Sequence, residues 1–256
     1  MHKSSEHLAW AIGRRASASN MQAFLSPALQ THLFNRPFSR RHTLVHRALC
    51  PVKCKLSSSE QTEASAMAAA AATFILQRAA KSYTKGERRP QPLVVLQALL
   101  QLEKAQKRNK VTVDGSKIVG QWRLVFTGDP RTKNPLLRKL YFPVRAHQTF
   151  TAEEDGSEFD NAIHVGFVHF HVTGPFRWVT ARNRLEFTVD RAKLSLGPLK
   201  WQKDDLEKDK VPFEQRTSRT LPFFTFFLLR ENLAAARGRS GGLALYAKVP
   251  EGEELY

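Results

Sequence analysis

The sequence has few of the residues and motifs that metal, redox or catalytic chemistry needs. Its 256 residues contain two cysteines, Cys50 and Cys54, both near the N-terminus. No further cysteine is present to complete a zinc or disulfide framework. There is no Walker A loop and no dinucleotide-binding fingerprint, and the acids cluster in polar loops at residues 153–160 and 204–209, where solvation accounts for them. We therefore predict no catalytic residue, no cofactor and no metal.

Long hydrophobic runs are also missing. No stretch approaches the roughly 18 consecutive apolar residues that a membrane-spanning helix needs. Any attachment to a membrane is therefore expected to be peripheral, through an amphipathic or apolar surface.

Acidic residues are nearly absent from the first 59 positions. Residues 1–59 hold nine Lys or Arg and one acid, Glu6, so that this stretch supplies +8 of the formal charge of +17. A basic, Ser-rich leader without an apolar secretory core is typical of an organelle transit peptide. Composition alone leaves mitochondrion and chloroplast both open. Because about half of the positive charge belongs to this leader, we expect no nucleic-acid partner.

Two helices are predicted in an N-terminal segment over residues 60–110. Residues 64–81 are rich in alanine, the strongest helix former. Residues 93–104 follow two prolines and place leucines and valines at spacings of three and four. We expect this apolar stripe to pack on the rest of the domain.

The remaining domain, residues 111–250, has the pattern of an antiparallel β-barrel, with a short tail at 251–256. In residues 117–128, Gly120, Trp122, Leu124 and Phe126 alternate with more polar positions, which predicts the opening strand. Further short strands follow at intervals of about ten residues, separated by Gly, Pro and Asn, as in a meander. Within residues 161–173 the apolar positions change phase near Phe167, and we predict a β-bulge there.

Several side chains are predicted to point into this barrel. An apolar interior about eight strands wide holds one small hydrophobic molecule unless side chains fill it. The residues expected to line it are Trp122, Phe126, Phe167, Phe170, Leu185 and Phe187.

Two other groups on the strands have alternative interpretations. The phase change places His164, His169 and His171 on one polar face, where solvation is a better explanation than a zinc site. Residues 220–229 are apolar on both faces, which favours a strand buried between the barrel interior and the helix at residues 93–102. The alternative is a membrane contact through Phe223, Phe224, Phe226 and Phe227.

The opening and closing motifs together resemble the plastid lipid-associated proteins, or plastid fibrillins, over roughly residues 90–250. The opening motif is Gly120-x-Trp122-x-Leu124, and the closing motif is Arg237-Gly238 followed by Gly241-Gly242 before an apolar strand. The family has an acidic residue in this last turn, where Arg239-Ser240 stands here, so any role of that acid is in doubt.

The resemblance implies a mainly β fold, a lipocalin-like or calycin-like barrel preceded by one or two helices. It implies a chloroplast protein, associated with plastoglobules or thylakoids, that binds isoprenoid or other lipids without catalysis. In lipocalin-like barrels a terminal arginine covers the opening tryptophan, and Arg237 is expected to cover Trp122 through a cation–π contact. The alternatives are a calycin-type enzyme acting on a hydrophobic plastid metabolite and, less favoured, a basic nucleic-acid-binding protein. No oligomeric state is predicted.

Overall fold

The computed structural model describes residues 58–84, 88–131, 139–153, 156–206, 211–250 and 252–253. The predicted transit peptide, with Cys50 and Cys54, lies outside these residues except for Ser58 and Ser59, which begin the first helix. Of the predicted tail, only Gly252 and Glu253 are described.

Two helices precede the sheet, as predicted, and both are longer than their sequence patterns. They are α1, Ser58–Thr84, and α2, Pro92–Asn109. Proline is favoured in the first turn of a helix, where its missing N–H has no partner to lose, so Pro92 opens α2. Lys110 ends α2 in the left-handed conformation, with φ of 50°. In the described part of the chain, no helix has the length and apolar character to cross a bilayer.

Eleven described strands form one antiparallel sheet. They are β1 (Gly120–Gly128), β2 (Lys139–Tyr141), β3 (Arg145–Glu153), β4 (Gly156–Val165), β5 (Val168–Val179), β6 (Arg184–Phe187), β7 (Arg191–Leu196), β8 (Leu199–Lys203), β9 (Phe223–Leu229), β10 (Leu233–Gly238) and β11 (Leu243–Lys248). The order β4-β3-β1-β11-β10-β9-β6-β5 closes because β5 also pairs with β4. This eight-stranded barrel confirms the predicted mainly β, lipocalin-like fold. The other three strands are β2, beside β1, and the β7–β8 hairpin, beside β5.

The apolar residues form two cores, one inside the barrel and one between the barrel and the helices. The outer core joins α1 and α2 to β1, β9, β10 and β11 through residues such as Leu76, Leu99 and Leu243. Phe126 belongs to this outer core, not to the interior as predicted. The register of β1 against β11 shifts between Leu124 and Phe126, and this bulge turns Phe126 outward onto Tyr141.

The phase change near Phe167 is a hairpin turn and not the predicted bulge. Val165 pairs with Val168, and Gly166 and Phe167 form the turn between β4 and β5. Gly166 has φ of 57°, a left-handed conformation that glycine adopts without steric cost. Phe167 is 71% exposed at this turn, so its predicted place in the barrel interior is wrong.

The Phe-rich strand is covered on both faces, which confirms the favoured interpretation. Phe224 and Phe226 are buried in the interior core, and Phe227 is buried in the outer core against the helices. Phe223 is half-buried under the guanidinium of Arg184, whose Cζ lies 3.8 Å from the ring centroid. The predicted membrane contact through these four residues is therefore wrong, because none presents an open face.

Candidate functional site: the mouth of the barrel

Aromatic side chains fill the barrel interior. Phe159 and Phe187 lie edge to face with ring centroids 4.9 Å apart, and Phe187 stacks on Phe224 at 5.4 Å. Trp122 is 1% exposed within the same core. Of the predicted lining residues, Trp122, Leu185 and Phe187 are buried here and Phe170 packs half-buried against them. These four residues thus belong to the packed interior core or lie against it.

The inward positions of the described strands carry polar groups but no Asp, Glu or His. Gln148 and Asn161 are paired across β3 and β4 and are both buried. Burial raises the pKa of Tyr246, whose hydroxyl is hydrogen-bonded with Gln148. Among the described residues, the most deeply buried carboxylate and imidazole are those of Glu186 and His147. Both lie on the outer side of the barrel wall, because each alternates with an inward-facing neighbour.

The open space lies at one mouth of the barrel. A groove of about 410 Å³ runs between the segment that precedes β1 and the C-terminal half of β5. Its apolar wall comes from Val113, Ile118, Val119, Phe176 and Trp178, and hydroxyls of Thr112, Ser116, Ser157 and Thr180 lie around it. We call this space the mouth groove.

Asn183 fixes the outer wall of the mouth groove. Its side-chain oxygen accepts from the N–H of Val113 and its amide donates to the carbonyl of Val111, both at 2.8 Å. Asn183 is 8% exposed and has φ of 48°, which asparagine tolerates better than most residues. On the other side, the Trp122 indole donates to the carbonyl of Ile118 at 2.6 Å.

Trp178 forms the floor of the groove because Gly115 has no side chain. A Cβ atom on Gly115 would lie 2.4 Å from the Trp178 Nε1 atom, so the indole rests directly on this backbone. Asp114 caps the N-terminus of the short 3₁₀ helix Gly115–Ile118, and its carboxylate accepts from the backbone N–H and the hydroxyl of Ser116. The buried Trp178 N–H has no hydrogen-bond acceptor among the described residues.

A second cavity of about 580 Å³ adjoins the mouth groove, and both are lined by Ser157 and Phe176. Its rim is charged, with Glu158, Asp190, Glu214, Arg177 and Arg191. Arg177 is held there by the fully buried Glu186, with nitrogen–oxygen distances of 2.9 and 3.0 Å, and by backbone carbonyls of Glu214 and Arg216. The N–H donors of Arg177 therefore attach the segment around Glu214 and Arg216 to the barrel.

The closing motif does not cover Trp122. Arg237 points outward and forms an ion pair with Glu103 of α2, a residue that also accepts from Lys107 at 2.7 Å. The cation over the Trp122 ring is Lys248, with Nζ 5.4 Å from the ring centroid. The predicted Arg237–Trp122 contact is thus wrong, because Arg237 alternates with the inward-facing Ala236.

The glycines of the opening and closing motifs lie at the start of β1 and in the β10–β11 turn. Gly120 opens β1 with φ of 117°, next to the Lys248 side chain. Gly238 donates to the carbonyl of Gly242 across the β10–β11 turn, and Arg237 donates to the carbonyl of Gly241. Residues 238–242 match the spacing Gly-x-Ser-x-Gly, but Ser240 lies in an antiparallel hairpin and not in the strand-to-helix turn of a nucleophile elbow.

The predicted histidines do share one outer face of β4 and β5, and His147 of β3 joins them. The Nδ1 atoms of His164 and His169 are 2.7 Å apart, and the rings of His164 and His171 are 5.3 Å apart. Burial, followed by the positive charge of Arg123, lowers the pKa of His147 to about 4. Among the described residues, no group of three or more His, Cys, Asp or Glu is arranged to hold a metal ion.

Sequence reasoning missed Asn183 as an anchor and Lys248 as the cover of Trp122, and neither has a local motif. The Glu103–Arg237 pair did leave a signal, because Glu103 follows Leu99 by four residues on the apolar stripe of α2. A comparison with protein-family models found no family that matches this chain, and a comparison with curated proteins found no significant match.

Proposed function

We propose that this chain is a non-catalytic lipid-associated protein that binds one hydrophobic molecule, an isoprenoid or another lipid, in the mouth groove. The observation that carries the proposal is the apolar wall of that groove at an open end of the barrel. Val119 is 40% exposed there, so a ligand would remove apolar surface from water. Because buried side chains occupy the barrel interior, we place the ligand in the mouth groove and not inside the barrel, where the sequence had predicted it.

The size and chemistry of the mouth groove suit a small lipid. Ligand sites are usually apolar clefts of about 300 to 1,000 Å³ with a few polar groups that fix orientation. The mouth groove, of about 410 Å³, has this balance. The adjoining cavity gives an elongated molecule room to extend past Ser157. Thr112 and Thr180 line the groove with hydroxyls that can bind a polar head group, whereas the Ser116 hydroxyl already donates to Asp114.

The proposed location is the chloroplast, at the surface of plastoglobules or thylakoids. It is supported by the basic, Ser-rich leader and by the resemblance of the opening and closing motifs to plastid lipid-associated proteins. The enzyme alternative stays a hypothesis.

The test is mass spectrometry of lipids that co-purify with the full chain from plastid extract. Val119→Glu places a charge on the groove wall, while Val111→Glu makes the same change at a valine that is 50% exposed and does not line the groove. We expect one discrete lipid at near one-to-one stoichiometry on the wild type and on Val111→Glu, and its loss from Val119→Glu. Bulk lipid bound equally by all three proteins would contradict the proposal.

A further inference from the structure

Two tight turns meet at the end of the sheet where β4, β5, β7 and β8 lie side by side. The first connects Val165 to Val168, and the second connects Leu196 to Leu199. They are joined because the N–H of Gly197 donates to the carbonyl of Phe167 at 3.1 Å, while Val168 pairs with Leu196.

The joined turns expose large apolar side chains. Val165 is 50% exposed, Phe167 is 71% exposed and Leu199 is 58% exposed. We call these three residues the hairpin tip. Trp201, two residues further along β8 and 41% exposed, lies on the same side of the strand as Leu199. A cluster of this kind on adjoining turns is more than scattered surface hydrophobicity, because the chain itself holds it together.

Cations lie along the β7–β8 hairpin behind the hairpin tip. Lys200 follows Leu199 directly, whereas Lys193 and Lys203 lie nearer the far end of the hairpin, where Lys203 pairs with Ala192 and is followed by Asp204 and Asp205. Residues 191–203, which form the β7–β8 hairpin, contain Arg191, Lys193, Lys200 and Lys203 and no carboxylate. Arg191 is near Glu158 and Asp204. The three lysines form no ion pair with any residue in the described ranges, and every residue of β8 is exposed. Their charges are thus free to meet an anionic surface.

We propose that the hairpin tip docks on an anionic lipid membrane. Phe167 and Leu199 insert among the acyl chains, and Lys193, Lys200 and Lys203 contact the head groups. This inference rests on the proposed function and assigns its membrane contact to a new place, because the Phe-rich strand β9 is covered.

A lipid surface explains the hairpin tip better than a second copy of the chain. Stable protein interfaces bury about 800 Å² on each partner, which is much more than three side chains provide. The exposed edge of β8 carries Lys200 and Lys203, and such lysines discourage edge-to-edge pairing between identical sheets. The same lysines are attracted to anionic head groups.

The experiment is co-sedimentation of the full chain with vesicles of phosphatidylcholine alone and of phosphatidylcholine mixed equally with phosphatidylglycerol. The variants are Phe167→Ser and the pair Lys200→Glu with Lys203→Glu. Phe74→Ser is the matched control, because Phe74 is 60% exposed on α1. Each variant keeps the leader, so the leader's own attraction to anionic lipid is the same in every comparison.

We expect Phe167→Ser to weaken partitioning into the mixed vesicles about tenfold or more, as loss of one buried phenyl ring implies. The double charge reversal should weaken binding to the mixed vesicles and leave binding to phosphatidylcholine alone unchanged. Phe74→Ser should bind like the wild type. Brominated lipid should quench part of the tryptophan emission, and Trp201→Phe should remove that part.

The outcomes separate this inference from the proposed function. If the wild type binds and Phe167→Ser binds equally well, the hairpin tip is not the contact, while peripheral association stands. If the wild type binds neither kind of vesicle, both peripheral membrane association and this inference are wrong. Lipid binding in the mouth groove is then still decided by the co-purification experiment. A dimer that Phe167→Ser dissociates, without a change in vesicle binding, would assign the tip to a second copy.

Discussion

Replacing Arg237 by alanine should lower the free energy of unfolding by about 2 to 3 kcal/mol, although Arg237 touches neither the mouth groove nor the barrel interior. Its guanidinium donates to both oxygens of Glu103, a residue that is 6% exposed in the interface between α2 and the barrel. The substitution leaves that carboxylate buried with Lys107 as its remaining cationic partner.

The magnitude follows from the burial of the two partners. Breaking a buried ion pair by removing one partner costs about 3 to 5 kcal/mol. The Arg237 side chain is 24% exposed and Lys107 still neutralises part of the charge, so we expect a cost at or just below the lower end of this range, about 2 to 3 kcal/mol. A loss of this size should reduce the melting temperature by roughly 5 to 10 °C.

The assay is urea and thermal unfolding, with Arg230→Ala as the control at an exposed arginine between β9 and β10. The double variant Glu103→Leu with Arg237→Met should regain most of the lost stability, because it leaves no unpaired buried charge. The reasoning is refuted if Arg237→Ala is as stable as Arg230→Ala, or if the double variant is no more stable than Arg237→Ala.

The same ion pair should respond to pH. Burial raises the pKa of Glu103, but hydrogen bonds from Arg237 and Lys107 and their charges lower it more, so the pKa of Glu103 lies below 4.5 in the folded chain. The pair therefore stabilises the fold above about pH 4.5, and this contribution is lost as the pH falls through the folded value.

Two further predictions concern buried polar residues near the sheet surface. In the folded chain the pKa of His147 is about 4, below its ordinary 6.5. As the pH falls from 6.5 to 4, the unfolded chain therefore binds the proton first, and the free energy of unfolding decreases. His147→Gln should remove up to about 3 kcal/mol of that acid-induced loss, measured by urea unfolding. Asn183→Ala removes both bonds to residues 111 and 113, and should cost about 2 kcal/mol and speed hydrogen exchange at the Val113 amide.

Controls sharpen both predictions. For His147, the free energies of unfolding of the wild type and of His147→Gln should change in parallel with pH below pH 4. If they also change in parallel between pH 6.5 and 4, a group other than His147 titrates there, and the prediction is contradicted. For Asn183, glycine keeps the left-handed conformation without the side-chain bonds. Val113 should therefore exchange quickly in both variants, and protection retained in Asn183→Gly would mean that backbone conformation alone holds the groove wall.

Hydrophobic periodicity was sufficient to predict the β-barrel strands and α2, and alanine content predicted α1. The alternation through Trp122 and Leu124 identified β1, and the stripe through Leu96 and Leu99 identified the buried side of α2. These patterns reflect burial, which is the largest favourable contribution to folding. The double-sided burial of β9 was also readable, because an apolar strand has to be covered on both faces.

Periodicity failed where the chain turns or shifts register. A two-residue turn places Val165 and Val168 on the same face although one number is odd and the other even, and this looks like a bulge in sequence. In β1 a real bulge reversed the direction of Phe126, and nothing in the local sequence marks it. Because of these two errors, Phe126 and Phe167 were wrongly predicted to line the barrel interior. Phe126 lies in the outer core, and Phe167 belongs to the hairpin tip.

The mouth groove was beyond sequence reasoning because its parts are distant in the chain. Trp178 lies on Gly115 because Gly115 has no side chain, and Asn183, just before β6, ties residues 111 and 113 to the segment that follows β5. Contacts between residues about 70 positions apart have no periodic signal. The sequence predicted which side chains are apolar, and tertiary structure decides which of them remain accessible.

The most direct test of the account is photo-crosslinking of the full chain with a diazirine-bearing isoprenoid, followed by peptide mapping. We predict adducts on residues 112–119 and 176–180, which line the mouth groove, and their reduction by Val119→Glu but not by Val111→Glu. Adducts on interior residues such as Phe187 and Phe224, with the mouth groove unlabelled, would contradict it and return the ligand to the inside of the barrel.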